Sequence, residues 1–344
     1  MLGASGSDDR EAGIVADHLV EANLRGHDSH GVGMLPTYVR NRKREGTRAN
    51  RRPVVVRDDG PFLVVDGDRG FGHVIGREAI DLAIVRARQL GVAVLAIRNA
   101  CHMGRIGTYG EQCAAAGLVS VHFVNGIGHE PWVAPHGGKE ARFSTNPFCI
   151  AFPPTGTNPA VVLDCATSRM SWGKIRIWRH EGRTLPDGVL LDPAGQPSRD
   201  PAVMEGERMG ALLPFGEHKG SGLALMCELL GGAVAGLILP RDSPRGGAGI
   251  NNMLAILFDP GRLLDRDQIA READALLAYV RSSAPIDPAQ PVMVAGEPEL
   301  RARAQRLVKG IPIDDATWHQ VEAAAVAVGV DAGALVGISG ESVT

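Results

Sequence analysis

Gly70-Phe71-Gly72-His73-Val74-Ile75-Gly76 lies between an apolar run at 62–65 and a stretch of helical spacing at 77–90. Its reading decides whether the chain is built on a dinucleotide-binding βαβ unit. The phosphate turn of such a unit needs G-x-G-x-x-G directly after a strand, with an acidic residue closing the next strand to hold a ribose. Here the spacing is G-x-G-x-x-x-G, Asp68 and Arg69 intervene, and the next strand ends in Arg98 and Asn99. The segment therefore reads as a turn and a helix start.

Outward from it, strands and helices alternate. Residues 92–97 form an apolar run that reads as a buried strand and leads into Asn99-Ala100-Cys101-His102. A helix is expected over 108–116, and strands over 118–124, 148–152 and 161–163, the last ending at Asp164. Upstream, Ile14, Val15, His18, Leu19 and Ala22 share one helical face, and the stop at Gly26 delivers the chain to His27-Asp28-Ser29-His30-Gly31. Downstream of a polar span at 179–210, residues 221–235 read as a buried helix and 253–258 as a strand. Ile269, Ala273, Leu276, Leu277 and Val280 mark another helix, 285–298 a loop, and 314–328 a terminal helix. The mixture implies an α/β or α+β body with helical flanks.

Composition narrows the function. With 44% hydrophobic and 22% charged residues in 344, the chain is globular and long enough for two domains. A net charge of -3 without a basic stripe argues against nucleic acid. No run approaches the ~18 apolar residues of a membrane span, and the first residues do not resemble a signal peptide. Five scattered cysteines without a C-x-x-C pair argue against a disulfide framework and fit a cytoplasmic protein. Eleven histidines include no H-x-x-x-H or H-E-x-x-H pair, so no metal is expected.

Several polar constellations end apolar runs, where α/β folds gather their ligand sites. Ser29-His30 places a hydroxyl beside an imidazole, and His102 follows a strand. Asp164 precedes Thr167, Ser168, Arg169 and Lys174, and Glu217-His218-Lys219-Gly220 opens a helix whose free N–H groups suit an anion. Each also has a structural reading as a cap, a turn or a hydrogen-bonded core histidine.

Taken together the segments resemble the malate/L-lactate dehydrogenase family that lacks a Rossmann domain, in its hydroxycarboxylate dehydrogenase branch. The likeness is carried by 15–19, 26–36, His102-Met103-Gly104-Arg105-Ile106-Gly107, 117–124, Thr145-Asn146-Pro147-Phe148, 163–168, Gly173-Lys174, Glu217-His218-Lys219-Gly220 and Gly296-Glu297-Pro298-Glu299. It implies a discontinuous helical domain (1–58 and 300–344), a larger α/β domain (59–299) that binds NAD or NADP, and a homodimer. The implied activity is hydride transfer between the cofactor and a small 2-oxo acid/2-hydroxy acid pair. The alternative is reduction of a cyclic imino acid such as piperideine-2-carboxylate.

Rivals of other classes are a metal-dependent hydrolase and a cofactor-binding protein without catalysis. Cofactor contacts carry over to His30, Gly104, Arg105, Ile106, Val162, Leu163, Asp164, Cys165, Ala166, Pro214, Lys219, Asn251, Gly296, Glu297, Pro298 and Glu299. His102 matches the proton donor of relatives, with Ser29, His30 and Asp164 as a relay and Arg105 as a candidate carboxylate partner. Met34 stands where many relatives have a carboxylate-clamping Arg, which points to a more apolar pocket that accepts phenylpyruvate-like acids. Relatives also carry a further helical turn ahead of Gly6-Ser7, so the first helix is expected to be shortened or missing.

Overall fold

The computed structural model describes residues 1–44, 46–206, 208–236, 248–331 and 333. In chain order the elements are α1 (Asp9–Leu24), α2 (Leu35–Lys43), β1 (Val54–Asp59), β2 (Phe62–Asp66), α3 (Gly72–Leu90), β3 (Val92–Cys101), α4 (Gly107–Ala115) and β4 (Val119–Ile127). There follow β5 (Phe148–Phe152), β6 (Val161–Cys165), α5 (Trp172–His180), β7 (Leu190–Leu191), β8 (Pro197–Ser198), β9 (Ala211–Leu212) and α6 (His218–Cys227). β10 (Ile250–Phe258), α7 (Arg266–Arg281), α8 (Glu297–Lys309) and α9 (Asp315–Val326) complete the described chain.

The large sheet has the order β1-β2-β3-β10-β4-β5-β6. Only β2 and β3 pair in parallel; the other neighbours are antiparallel. A doubly wound nucleotide fold requires a mostly parallel sheet, so the fold is mixed α/β of another kind, as the sequence implied. α3 makes the single crossover between β2 and β3. Its buried face, Ala79, Ile80, Ala83, Ile84 and Ala87, packs on Leu63, Val65, Leu95 and Ile97. The glycines of the opening segment serve this packing. A Cβ at Gly72 would lie 2.1 Å from the Cys101 carbonyl oxygen, and one at Gly76 2.6 Å from the Tyr109 ring.

The chain ends meet: α1 packs on α8 and α2 on α9. Ahead of Gly6 the chain forms a short 3-10 turn, Gly3–Ser5, and α1 follows with 16 residues, the Asp8 carboxylate accepting from the Glu11 N–H. A cluster of Leu2, Val15, Leu19, Tyr38, Phe71 and Val74 ties this helical layer to the start of α3.

Four expectations are revised. β3 continues past residue 97 to Cys101 because Asn99 adopts φ 55° and its N–H donates to the Asn252 side chain at 2.9 Å. The helix expected over 221–235 is α6 followed by a π-helical segment, Glu228–Gly236, and it is buried on one face only. Gly231 and Gly236 press against β4 and β10, while Leu225, Met226, Leu229 and Val234 stay exposed. The loop expected over 285–298 ends at Gly296, since Pro298 suits the first turn of α8. The polar span at 179–210 contributes β7 and β8 to a small antiparallel sheet, order β8-β7-β9, over a second core of Ile175, Leu185, Val189, Leu190, Met204 and Leu212. Among the described residues no helix is long and apolar enough to cross a membrane.

Candidate active site

β3 and its continuation set the site. Past Cys101 the chain turns into 102–106, and the Met103 N–H donates to the Asn251 side chain on β10 at 2.9 Å. Gly104 takes φ 69°, and a Cβ there would sit 2.5 Å from His18 Nε2 and 2.7 Å from His73 Nε2. With no side chain in the way, the Arg105 N–H donates to His18 Nε2 at 3.0 Å. His102 is thereby aimed into a cleft of ≈ 1050 Å³ bounded by the helical layer on one side and the sheet on the other.

The opposite wall begins with the 3-10 turn Asp28–His30. Asp28 anchors it, accepting from Arg306 Nη2 at 2.9 Å and from the Asn23 amide at 2.7 Å. Ser29 Oγ lies 2.9 Å from His30 Nδ1, and the His30 ring stacks on His102 with centroids 5.7 Å apart and planes at 17°. His102 Nδ1 meets the Tyr38 hydroxyl at 2.8 Å. Among the described residues the Nε2 atoms of both rings have no protein hydrogen-bond partner. Burial pushes both rings down to about 3, with neighbouring imidazoles adding to the effect, so both are neutral near pH 7.

Asp164 is the last but one residue of β6, with one carboxylate oxygen accepting from the Gly107 N–H at 2.7 Å, at the start of α4. The same oxygen is 3.7 Å from Arg105 Nε. Burial raises this carboxyl above its ordinary range, and the Arg105 charge opposes that. No hydrogen bond joins Asp164 to His30 or His102 among the described residues, so the expected relay divides into a Ser29–His30 pair and an Arg105–Asp164 pair. Arg105 is 2% exposed and binds Glu111 at 2.8 Å, yet among the described residues its Nε and Nη1 have no hydrogen-bond partner.

Of the residues singled out in the sequence, Ser29, His30, Met34, His102, Gly104, Arg105, Ile106, Asp164, Cys165, Ala166, Lys174 and Asn251 line the cleft. Val162, Leu163, Pro214, Lys219, Gly296, Glu297, Pro298 and Glu299 do not. Val162 is buried under Gly296, whereas Glu297 pairs with Arg281 and Glu299 with His27. The sequence reading missed Tyr38, which follows Met34 by one helical turn on α2, and the Trp132–Trp172 stack, with centroids 5.7 Å apart. The i, i+4 spacing from Met34 was a usable signal for Tyr38; the pairing of two tryptophans forty residues apart left none.

Two neutral imidazoles, a buried guanidinium and an aromatic wall suit a small anionic carbonyl compound. The relatives agree. The family profile described as malate/L-lactate dehydrogenase matches residues 1–322. The chain is 43% identical over 330 residues to hydroxycarboxylate dehydrogenase B of Escherichia coli K12, covering 94% of this chain and 90% of that one. To an L-lactate dehydrogenase of Cupriavidus necator it is 39% identical over 318 residues, covering 92% and 90%. The solved structure of a putative malate/lactate dehydrogenase from E. coli superposes with a TM-score of 0.93 at 42% identity, covering 98% of this chain and 94% of that one. Sequence, fold and cleft thus converge, and the chain belongs to the malate/L-lactate dehydrogenase family.

Proposed function

We propose that this chain is a nicotinamide-dependent oxidoreductase that interconverts a small 2-oxo acid and its 2-hydroxy acid. The observation that carries the reading is the stacked His30–His102 pair, with both Nε2 atoms open to a cleft that also holds Arg105. A cleft of ≈ 1050 Å³ lies just above the ~300–1,000 Å³ of ordinary ligand sites. Gly104, Arg105 and Ile106 line the cleft together, which fits a cofactor laid across 104–106. His30, Gly104, Arg105, Ile106, Asp164, Cys165, Ala166 and Asn251 would hold NAD or NADP there. The cofactor, when bound, supplies or accepts the hydride.

The protein does the rest. The substrate oxygen lies between the Nε2 atoms of His30 and His102, which stabilise negative charge on it and pass one proton to or from it. Arg105 attracts the substrate carboxylate while Asp164 holds the guanidinium in place. Met34, Trp132 and Trp172 contact the substrate side chain, which favours apolar or aromatic 2-oxo acids.

Three further assignments accompany this reading. Residues 1–58 with 300–344 form the helical domain around 59–299, supported by the packing of α1 on α8 and α2 on α9; residues 45, 332 and 334–344 of it lie outside the described residues. Leu225, Met226, Leu229 and Val234 give α6 and the segment after it an exposed apolar face that suits a homodimer. Five free thiols fit a reducing, cytoplasmic setting.

The test is oxidation of NADH and NADPH with pyruvate, oxaloacetate, phenylpyruvate, hydroxyphenylpyruvate and piperideine-2-carboxylate. Turnover of a 2-oxo acid is expected. Turnover of the imine alone moves the assignment to an imino acid reductase, and no turnover of any compound rejects it.

A further inference from the structure

We propose that Tyr38 and His73 lock His102 as a neutral ring with its hydrogen on Nε2. His102 is then the hydrogen-bond donor to the substrate oxygen, and His30 is the ring that exchanges the proton. The division of labour rests on the function proposed above; the tautomer does not.

The argument starts at His73, in the first turn of α3, whose side chain is fully buried. Its Nε2 lies 3.3 Å from the Tyr38 hydroxyl, and its Nδ1 has no partner. A hydrogen on Nδ1 would be a buried N–H without an acceptor, which is less favourable than an unpaired lone pair. His73 therefore carries its hydrogen on Nε2 and donates it to the Tyr38 oxygen. A phenol has one hydrogen. With its oxygen already accepting from His73, Tyr38 donates to Nδ1 of His102 at 2.8 Å. The hydrogen of His102 is left only Nε2, which faces the cleft.

Neither upstream member takes a charge. Burial holds His73 well below and the Tyr38 phenol well above their ordinary ranges. A protonated His102 would also set an Nδ1 hydrogen against that of Tyr38. His30 has no such obstacle, because its Nδ1 meets the Ser29 hydroxyl at 2.9 Å. A hydroxyl rotates, donating to a bare nitrogen or accepting from an N–H, so His30 keeps its partner in both charge states.

Nitrogen–proton correlation spectra of the histidine-labelled wild-type chain, with His102 assigned through His102→Gln, read the tautomer directly. The expected result is a neutral His102 with its hydrogen on Nε2 from about pH 6 to about 9, and a tautomer mixture in Tyr38→Phe. A hydrogen on Nδ1, or a His102 ring that titrates around neutrality, overturns the proposal whether or not any 2-oxo acid is turned over. In steady state, Tyr38→Phe lowers kcat by about tenfold to a hundredfold with cofactor affinity unchanged. The limb of the reduction profile on which turnover falls with rising pH persists in His102→Gln, which keeps an N–H donor, and disappears in His30→Gln. An unchanged kcat in Tyr38→Phe, or a limb that follows His102, rejects it.

Discussion

The rings of His30 and His102 lie nearly parallel, 5.7 Å apart at 17°, although one is placed by a turn locked through Asp28 to α8 and the other by the end of β3. Two cations at that separation repel, and both rings are buried, so the pair holds at most one extra proton. Removing His102 leaves the substrate oxygen with one partner. His102→Ala is expected to lower kcat for 2-oxo acid reduction by roughly 10²- to 10³-fold, the loss of one donor to the developing oxyanion. Cofactor affinity, measured by fluorescence titration, should change little.

The same burial makes stability depend on pH. The folded chain holds His18, His30 and His102 down at about 3 and His122 at about 4, against 6.5 when unfolded. Between these values the unfolded chain binds more protons, so this contribution is complete above about pH 6.5 and is lost as pH falls through the window. Each ring contributes up to about 1.4 kcal/mol per pH unit. Urea denaturation at a series of pH values should show the loss, and His122→Gln should flatten the slope by one ring's share.

At Gly104, alanine would have to adopt φ 69° with its Cβ 2.5 Å from His18 Nε2. Left-handed backbone alone costs about 1–2 kcal/mol, and the contact adds to it. Gly104→Ala is expected to destabilise the protein by more than about 2 kcal/mol in chemical unfolding and to reduce cofactor binding with it.

Gly76→Ala separates packing from phosphate binding. Its Cβ would lie 2.6 Å from the Tyr109 ring, outside the cleft. Stability should fall by about 1–3 kcal/mol through overpacking, while the folded fraction should bind cofactor as the wild type does. A selective loss of cofactor affinity would reinstate the glycines as a phosphate turn.

Met34 lines the cleft with Trp132 and Trp172. Met34→Arg adds a carboxylate-binding fork and removes apolar surface. The ratio of kcat/KM for oxaloacetate over phenylpyruvate is expected to rise by about tenfold or more; an unchanged ratio would mean that residue 34 does not contact the substrate side chain.

The sequence by itself made most strands of the large sheet, helices α1, α3, α4, α7 and α9, the failure of the glycine fingerprint and many candidate site residues legible. Helical and strand periodicities are local, and His30, His102, Arg105 and Asp164 each end a segment legible from its own residues. Only the tertiary structure decided how those segments meet. β10 enters between β3 and β4 from more than a hundred residues away, which no local pattern specifies. Its Asn251 then fixes the loop that carries His102. Asp164 was readable as a site residue but not as the partner of Arg105 rather than of His30, because ion pairing depends on distances set by β6 and α4. His73 and the two tryptophans were invisible as site residues for the same reason, and Tyr38 was reachable only through its i, i+4 spacing from Met34. Their chemistry depends on which groups are left facing them, and packing of distant elements alone fixes that.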